Sequence, residues 1–115
     1  MPQAHDALDS LTLHEQGALS LSHAAIQMDA ARADQAQLAA ALKRNLDVWV
    51  AFRSIATHAG GMDQVTRDNL VKLSDFVSAS IISDGLRISD SRLETLININ
   101  LQISEGLLVS GERVN

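Results

Sequence analysis

Cysteine is absent from the chain, which removes disulfides, thiolate nucleophiles and cysteine-type zinc sites from the chemistry open to it. Aromatic residues are nearly as scarce. Trp49, Phe52 and Phe76 are the whole set, so a core has to be assembled from Leu, Ile, Val and Ala. One Pro and six Gly supply little of the turn punctuation that a many-stranded fold requires, and helices are the favoured element. Clustered positive charge is missing too. The formal net charge is −5 and Lys43-Arg44 is the sole adjacent cationic pair, whereas duplex binding draws on several clustered cations to neutralise phosphates. Direct nucleic-acid binding is therefore not expected. Nowhere do about eighteen apolar residues run together, as a membrane-spanning helix needs. The opening Met1-Pro2-Gln3-Ala4-His5-Asp6 has neither the basic nor the apolar region of a secretory signal. The expectation is a cytoplasmic protein without a membrane span.

What is present is the balance of an ordinary folded chain, 46% hydrophobic and 20% charged, which argues against disorder. A length of 115 residues suits one domain with one core. Within residues 1–115 the reading is an N-terminal helix in 1–33, a helical core over 34–109 and a tail at 110–115.

From Ala7 to Met28, apolar residues including Leu8, Leu11, Ala18, Leu19, Ala25 and Ile26 fall at helical steps, predicting a first helix that Gly17 could divide. Asp34 followed by Gln37 is a capping-box pattern. Leu38, Leu42, Leu46, Trp49, Phe52 and Ala56 continue it as a second helix, with Gly60-Gly61 as its stop. Asp63 or Thr66 can cap a third, in which Leu70, Leu73, Phe76, Val77 and Ile81 share a face, ending at Asp84-Gly85. Ser91 with Glu94 makes another capping box ahead of an apolar-rich fourth helix from Leu93 to Val109. The fold class expected is all-α, a small antiparallel bundle of about four helices.

One stretch supports a competing reading. Ile97, Asn98, Ile99, Asn100, Leu101, Gln102 and Ile103 alternate strictly, as a half-buried strand would, with Asp84-Gly85 as a hairpin turn. The Leu93, Leu96, Ile97, Leu101, Leu108 spacing favours helix. On that helix the apolar residues span an arc of about 200°, wider than one packing face. Either the helix is buried between two neighbours or a second face docks a partner helix.

Catalysis or metal binding requires side chains that converge. His5, His14 and His23 stand nine residues apart, so on a continuous helix His5 and His23 share a face yet lie about 27 Å apart. His58 suits the C-terminal end of the second helix, where a cation favours the dipole, and Asp6 and Asp9 suit a first turn in the same way. The serines lack a Gly-x-Ser-x-Gly elbow, and no phosphate loop, dinucleotide fingerprint or calcium loop is present. The pattern points away from an enzyme and calls for no cofactor and no metal.

Three blocks carry a resemblance. Ala41-Leu42-Lys43-Arg44-Asn45-Leu46-Asp47-Val48-Trp49 has the form Ala-Leu-x-x-Asn-x-x-x-Trp. Leu70 to Val77 has the form Leu-x-x-Leu-x-x-Phe, and Leu96-Ile97-Asn98-Ile99-Asn100 continues to Ile103, Gly106 and Leu107. In order and spacing these resemble the flagellar protein FlaF family of alphaproteobacteria, over about Leu38 to Leu107. The Leu-Pro that usually opens that family's third helix is replaced around Gln64-Val65, and its aromatic N-terminal stretch is missing. The resemblance implies a helical, cytoplasmic, non-enzymatic protein of flagellum assembly that promotes flagellin production and export, opposes the translational repressor FlbT, and binds flagellin as a chaperone.

The partners expected are flagellin as client and the flagellar export machinery. Leu96, Ile99, Ile103 and Leu107 form the expected partner-facing set. Asn100 is either a contact to client backbone or, like Asn45, a buried residue hydrogen-bonding between helices. Leu42, Leu46, Trp49, Phe52, Leu73, Phe76, Ile97 and Leu101 are the expected core, with Leu108 alongside. Two other readings remain: a self-associating structural or adaptor protein whose wide apolar face makes a homodimer, and an RNA-binding translational regulator, which the acidic balance opposes.

Overall fold

A computed structural model describes residues 13–58 and 63–114. Four α-helices account for nearly all of them: α1 Leu13–Ala30, α2 Gln35–His58, α3 Gln64–Asp84 and α4 Asp90–Val114, with a 3-10 turn at Gly85–Arg87 before α4. There is no strand among the described residues, and the Asn-alternating stretch lies within α4. The protein is an all-α four-helix bundle. Gly17 does not interrupt α1. Residues 7–12 of the expected first helix, together with His5, Asp6, Asp9 and the Gly60-Gly61 stop, lie outside the described residues.

The second, third and fourth helices each start where a side chain can serve their unpaired amides. Asp34 Oδ1 accepts from the Gln37 amide at 3.0 Å and opens α2. Asp63, rather than Thr66, opens α3 by accepting from the Thr66 amide at 3.1 Å. The expected Ser91 start for α4 is corrected by two residues: the Ser89 hydroxyl accepts from the Arg92 amide at 3.0 Å, and Glu94 pairs instead with Arg32 of the α1–α2 connection. Hydrogen bonding by Thr66 holds the Asp63 carboxyl below its ordinary value of 3.8. A group with a lowered native pKa contributes stability above its unfolded value and loses it as pH falls through the native one. Asp63→Asn retains a capping oxygen without titrating. It should therefore leave the melting temperature little changed at neutral pH and reduce its fall below about pH 4, a difference that melting curves of the two proteins across pH 2–6 would register.

At the other end of α3, Gly85 takes φ 52° and ψ −134°, and its amide returns to the Ile81 carbonyl. An added Cβ there would meet nothing within 4 Å, so the need for glycine is conformational alone. Gly85→Ala is expected to destabilise by about 1–2 kcal/mol, read from the urea midpoint at unchanged slope.

The core is aliphatic around one indole. Leu21, Ala25 and Met28 of α1, Leu38, Leu42, Trp49 and Phe52 of α2, Leu70, Val77 and Ile81 of α3, and Leu93, Leu96 and Ile97 of α4 are all buried in it. Leu46 and Leu73 are half-buried against its edge. Three expectations are corrected. Phe76, expected in the core, is 40% exposed, because the inward stripe of α3 runs through Leu70, Ser74, Val77 and Ile81. Its ring is covered from outside by the Arg92 guanidinium, 5.6 Å from the centroid. Leu101 and Leu108, expected inward on α4, are 43% and 44% exposed. Leu96, expected outward, is fully buried. One displacement explains the α4 errors. Asn100 and Ser104 occupy the centre of the inward face, so the true centre lies between the two apolar sets.

A candidate binding groove between the first two helices

Asn100 is the hub of a buried polar network. Its Oδ1 accepts from Trp49 Nε1 at 2.8 Å, and its Nδ2 donates to the Leu21 carbonyl at 3.0 Å and to Asn45 Oδ1 at 2.7 Å. Asn45, Trp49 and Asn100 are all fully buried. Ser104 of α4 adds a bond to the Ala18 carbonyl of α1 at 2.9 Å, and Ser74 of α3 one to the Trp49 carbonyl at 3.1 Å. Every helix is thus fixed to another near the level of Trp49. Of the two roles open to Asn100 in sequence, a contact to client backbone or a buried bond between helices, it takes the second: it has no surface to offer and serves as an internal clamp.

This clamp sets the spacing of α1 and α2, which connect through a short turn at residues 31–34. At the far end of the pair, Phe52 lies against Gly17, where an added Cβ would sit 2.8 Å from the ring. Between these points the helices leave an open groove of about 950 Å³. Gly17, Ala31, Ala41, Val48, Phe52 and Leu107 contribute apolar lining, with Ala40, Ala51 and Ile55 along the α2 side and Gln16, Ser20, Gln27 and Gln37 as uncharged polar lining. Phe52 is steadied by Trp49, ring centroids 5.9 Å apart. Two cations, Lys43 and Arg44, line the α2 wall beside Asp47, and Lys43 is tied to Asp47 at 3.2 Å.

The expected partner-facing set is divided by this geometry. Leu107 lines the groove. Ile99 and Ile103 are half-buried against the core, and Leu96 and Asn100 are sealed inside it. The α2 lining was not anticipated, although a signal exists: Ala40, Arg44, Val48, Ala51 and Ile55 form a second helical stripe beside the core stripe. Alanines carry little weight in a hydrophobic count, yet here they keep the groove open along α2. His58, at the end of α2, contacts the Ser54 carbonyl through Nδ1 at 2.8 Å and the Thr57 hydroxyl at 3.1 Å. Among the described residues no three His, Asp or Glu side chains gather as a metal site needs, and no helix is long and apolar enough to cross a membrane.

Fold and groove together define a small four-helix protein with a preformed apolar channel between two of its helices. The family described as Flagellar protein FlaF matches residues 3–107, and the chain belongs to it. It is thus a flagellum-related protein, and the match reaches further toward the N-terminus than the three sequence blocks do. No curated protein and no solved structure matches the chain.

Proposed function

We propose that this chain is a non-enzymatic chaperone that binds flagellin in the cytoplasm and so promotes its synthesis and secretion during flagellum assembly. The groove between α1 and α2 carries this reading. A subunit built to polymerise through apolar helices has to be kept from doing so before export, and a groove walled by helices can cover such a surface without cofactor or reaction. Membership of the FlaF family supplies the flagellar context. The export machinery is a further partner in this proposal, and RNA is not one, given the net charge of −5.

Self-association is the second reading, supported by Leu19 and Ile26 on α1 and Leu101 and Leu108 on α4. All four are exposed, and each pair is seven residues apart, a spacing that aligns side chains along a helix. Size-exclusion chromatography with light scattering separates the two. A stoichiometric complex with flagellin from the same organism is the expected result. Separate elution of the two proteins rejects the chaperone reading, and a mass that doubles with concentration in its place assigns the apolar surface to a homodimer.

A further inference from the structure

Two glycines stand inside helices without a positive φ, Gly17 in α1 and Gly106 in α4. Glycine at such a position costs helix stability that alanine would return. At Gly106 the missing Cβ makes room for nothing, since an added one would have no neighbour within 4 Å. At Gly17 an added Cβ would fall 2.8 Å from Phe52 Cε2, 3.4 Å from its Cζ and 3.5 Å from Leu107 Cδ1. The first distance is well inside the optimal separation of two carbon atoms. A side chain at position 17 and the Phe52 ring in its present place therefore exclude each other.

Where a displaced ring would go follows from what already surrounds it. Trp49 is fully buried and anchored through Nε1 to Asn100 at 2.8 Å, and its ring centroid lies 5.9 Å from that of Phe52. It cannot retreat without breaking the bond that joins α2 to α4. Leu107 occupies the α4 side of the notch. The open side is the groove between α1 and α2, which Phe52 lines together with Gly17 and Leu107. A ring pushed off Gly17 turns into that groove.

Resting on the chaperone reading, we infer that Gly17 is a positioning residue of the groove: its bare backbone seats Phe52 against α1 and keeps that end of the channel open to an apolar side chain of the client. The ring sets the depth of the groove at this end, and the absence of a Cβ sets the ring. Close packing leaves no third arrangement, because a methyl group added at the notch has to be answered by movement of the aromatic side chain.

The test compares Gly17→Ala with Gly106→Ala in the full chain. Phe52 and Phe76 are the two phenylalanines, so labelling with para-fluorophenylalanine gives two fluorine NMR signals, and that of the exposed Phe76 is the reference. Gly106→Ala should raise the melting temperature by about 4 °C through helix propensity alone and leave both signals and the affinity for flagellin as they are. Gly17→Ala should forfeit that gain, move the Phe52 signal but not the Phe76 signal, and weaken flagellin binding about tenfold by titration calorimetry. Phe52→Leu removes the colliding ring. Adding Gly17→Ala to Phe52→Leu should therefore cost no further affinity and should recover the rise in melting temperature, a rescue that general damage to α1 would not give. A Gly17→Ala protein that melts higher with its Phe52 signal unmoved overturns the inference, and so does a moved ring with undiminished flagellin binding. If the unaltered protein ignores flagellin, the chaperone reading fails by itself; a shifted Phe52 signal in Gly17→Ala then still upholds Gly17 as the seat of the ring, and an unshifted one overturns it.

Discussion

Asn100→Leu is expected to destabilise the fold by about 4 kcal/mol, close to the whole stability of a marginal domain. The side chains are similar in volume, so the loss is one of hydrogen bonds. Trp49 Nε1 loses its acceptor and Asn45 Oδ1 its donor, both in a site from which water is excluded. An abandoned buried polar group costs about 1–3 kcal/mol. Asn45 is already half-satisfied, since its Nδ2 has no partner among the described residues. Asn45→Leu combined with Asn100→Leu should therefore cost less than the two single changes added together, by at least about 1 kcal/mol. Urea unfolding followed by Trp49 fluorescence measures all three variants, and a cost below about 1 kcal/mol for Asn100→Leu would show the clamp to be incidental. Asn100→Asp adds a pH test. It keeps the acceptor for Trp49 but turns an oxygen toward the Leu21 carbonyl and Asn45 Oδ1, and burial favours its neutral form. With its folded pKa raised above the unfolded value of about 3.9, this variant should be most stable below about pH 4 and lose stability as pH rises through the folded pKa.

The same network explains what the sequence could and could not reveal. The helices themselves were legible because their signals are local. Asp34 precedes a regular stripe on α2, and Asp84-Gly85 ends α3 where the backbone needs a positive φ. The inward faces of α3 and α4 were not, because they are centred on polar residues. Ser74, Asn100 and Ser104 sit where an apolar count expects leucine, so the count moved the core of α4 toward Leu101 and the core of α3 toward Phe76. Which carbonyl a buried Asn or Ser will meet depends on a helix 25 to 86 residues away, and no periodicity encodes that.

The residues that carry the family resemblance have a physical meaning of their own. Asn45 and Trp49 come from one block and Asn100 from another, and all three are joined by direct hydrogen bonds. The pattern is thus the trace of an internal clamp that fixes the helices in register. The groove lining lies elsewhere, on small residues such as Ala40 and Ala51, and it is there that the proposed client contacts belong. The clamp and the groove are connected through α2, whose inner stripe holds the hub while its adjoining stripe forms the wall.

That connection makes a plug the sharpest test of where a client sits. Ala51 is exposed on the groove wall, between Val48 and Ile55. Ala51→Trp places an indole in the channel while costing only about 0.5 kcal/mol in helix propensity, so the melting temperature should barely move. A client helix would lose its seat, and affinity for flagellin is expected to fall about a hundredfold, the scale of losing a central anchor pocket. Ile99→Asp or Ile103→Asp would be a poorer test, since both residues are half-buried against the core and a carboxylate there disturbs folding and binding together. Leu101→Asp and Leu108→Asp are the informative counterparts. Both positions are exposed and outside the groove, so their carboxylates should leave flagellin binding unchanged. If titration calorimetry instead finds that the plug is tolerated and the α4 aspartates abolish binding, the client lies on the exposed flank of α4, and the channel between α1 and α2 has some other occupant.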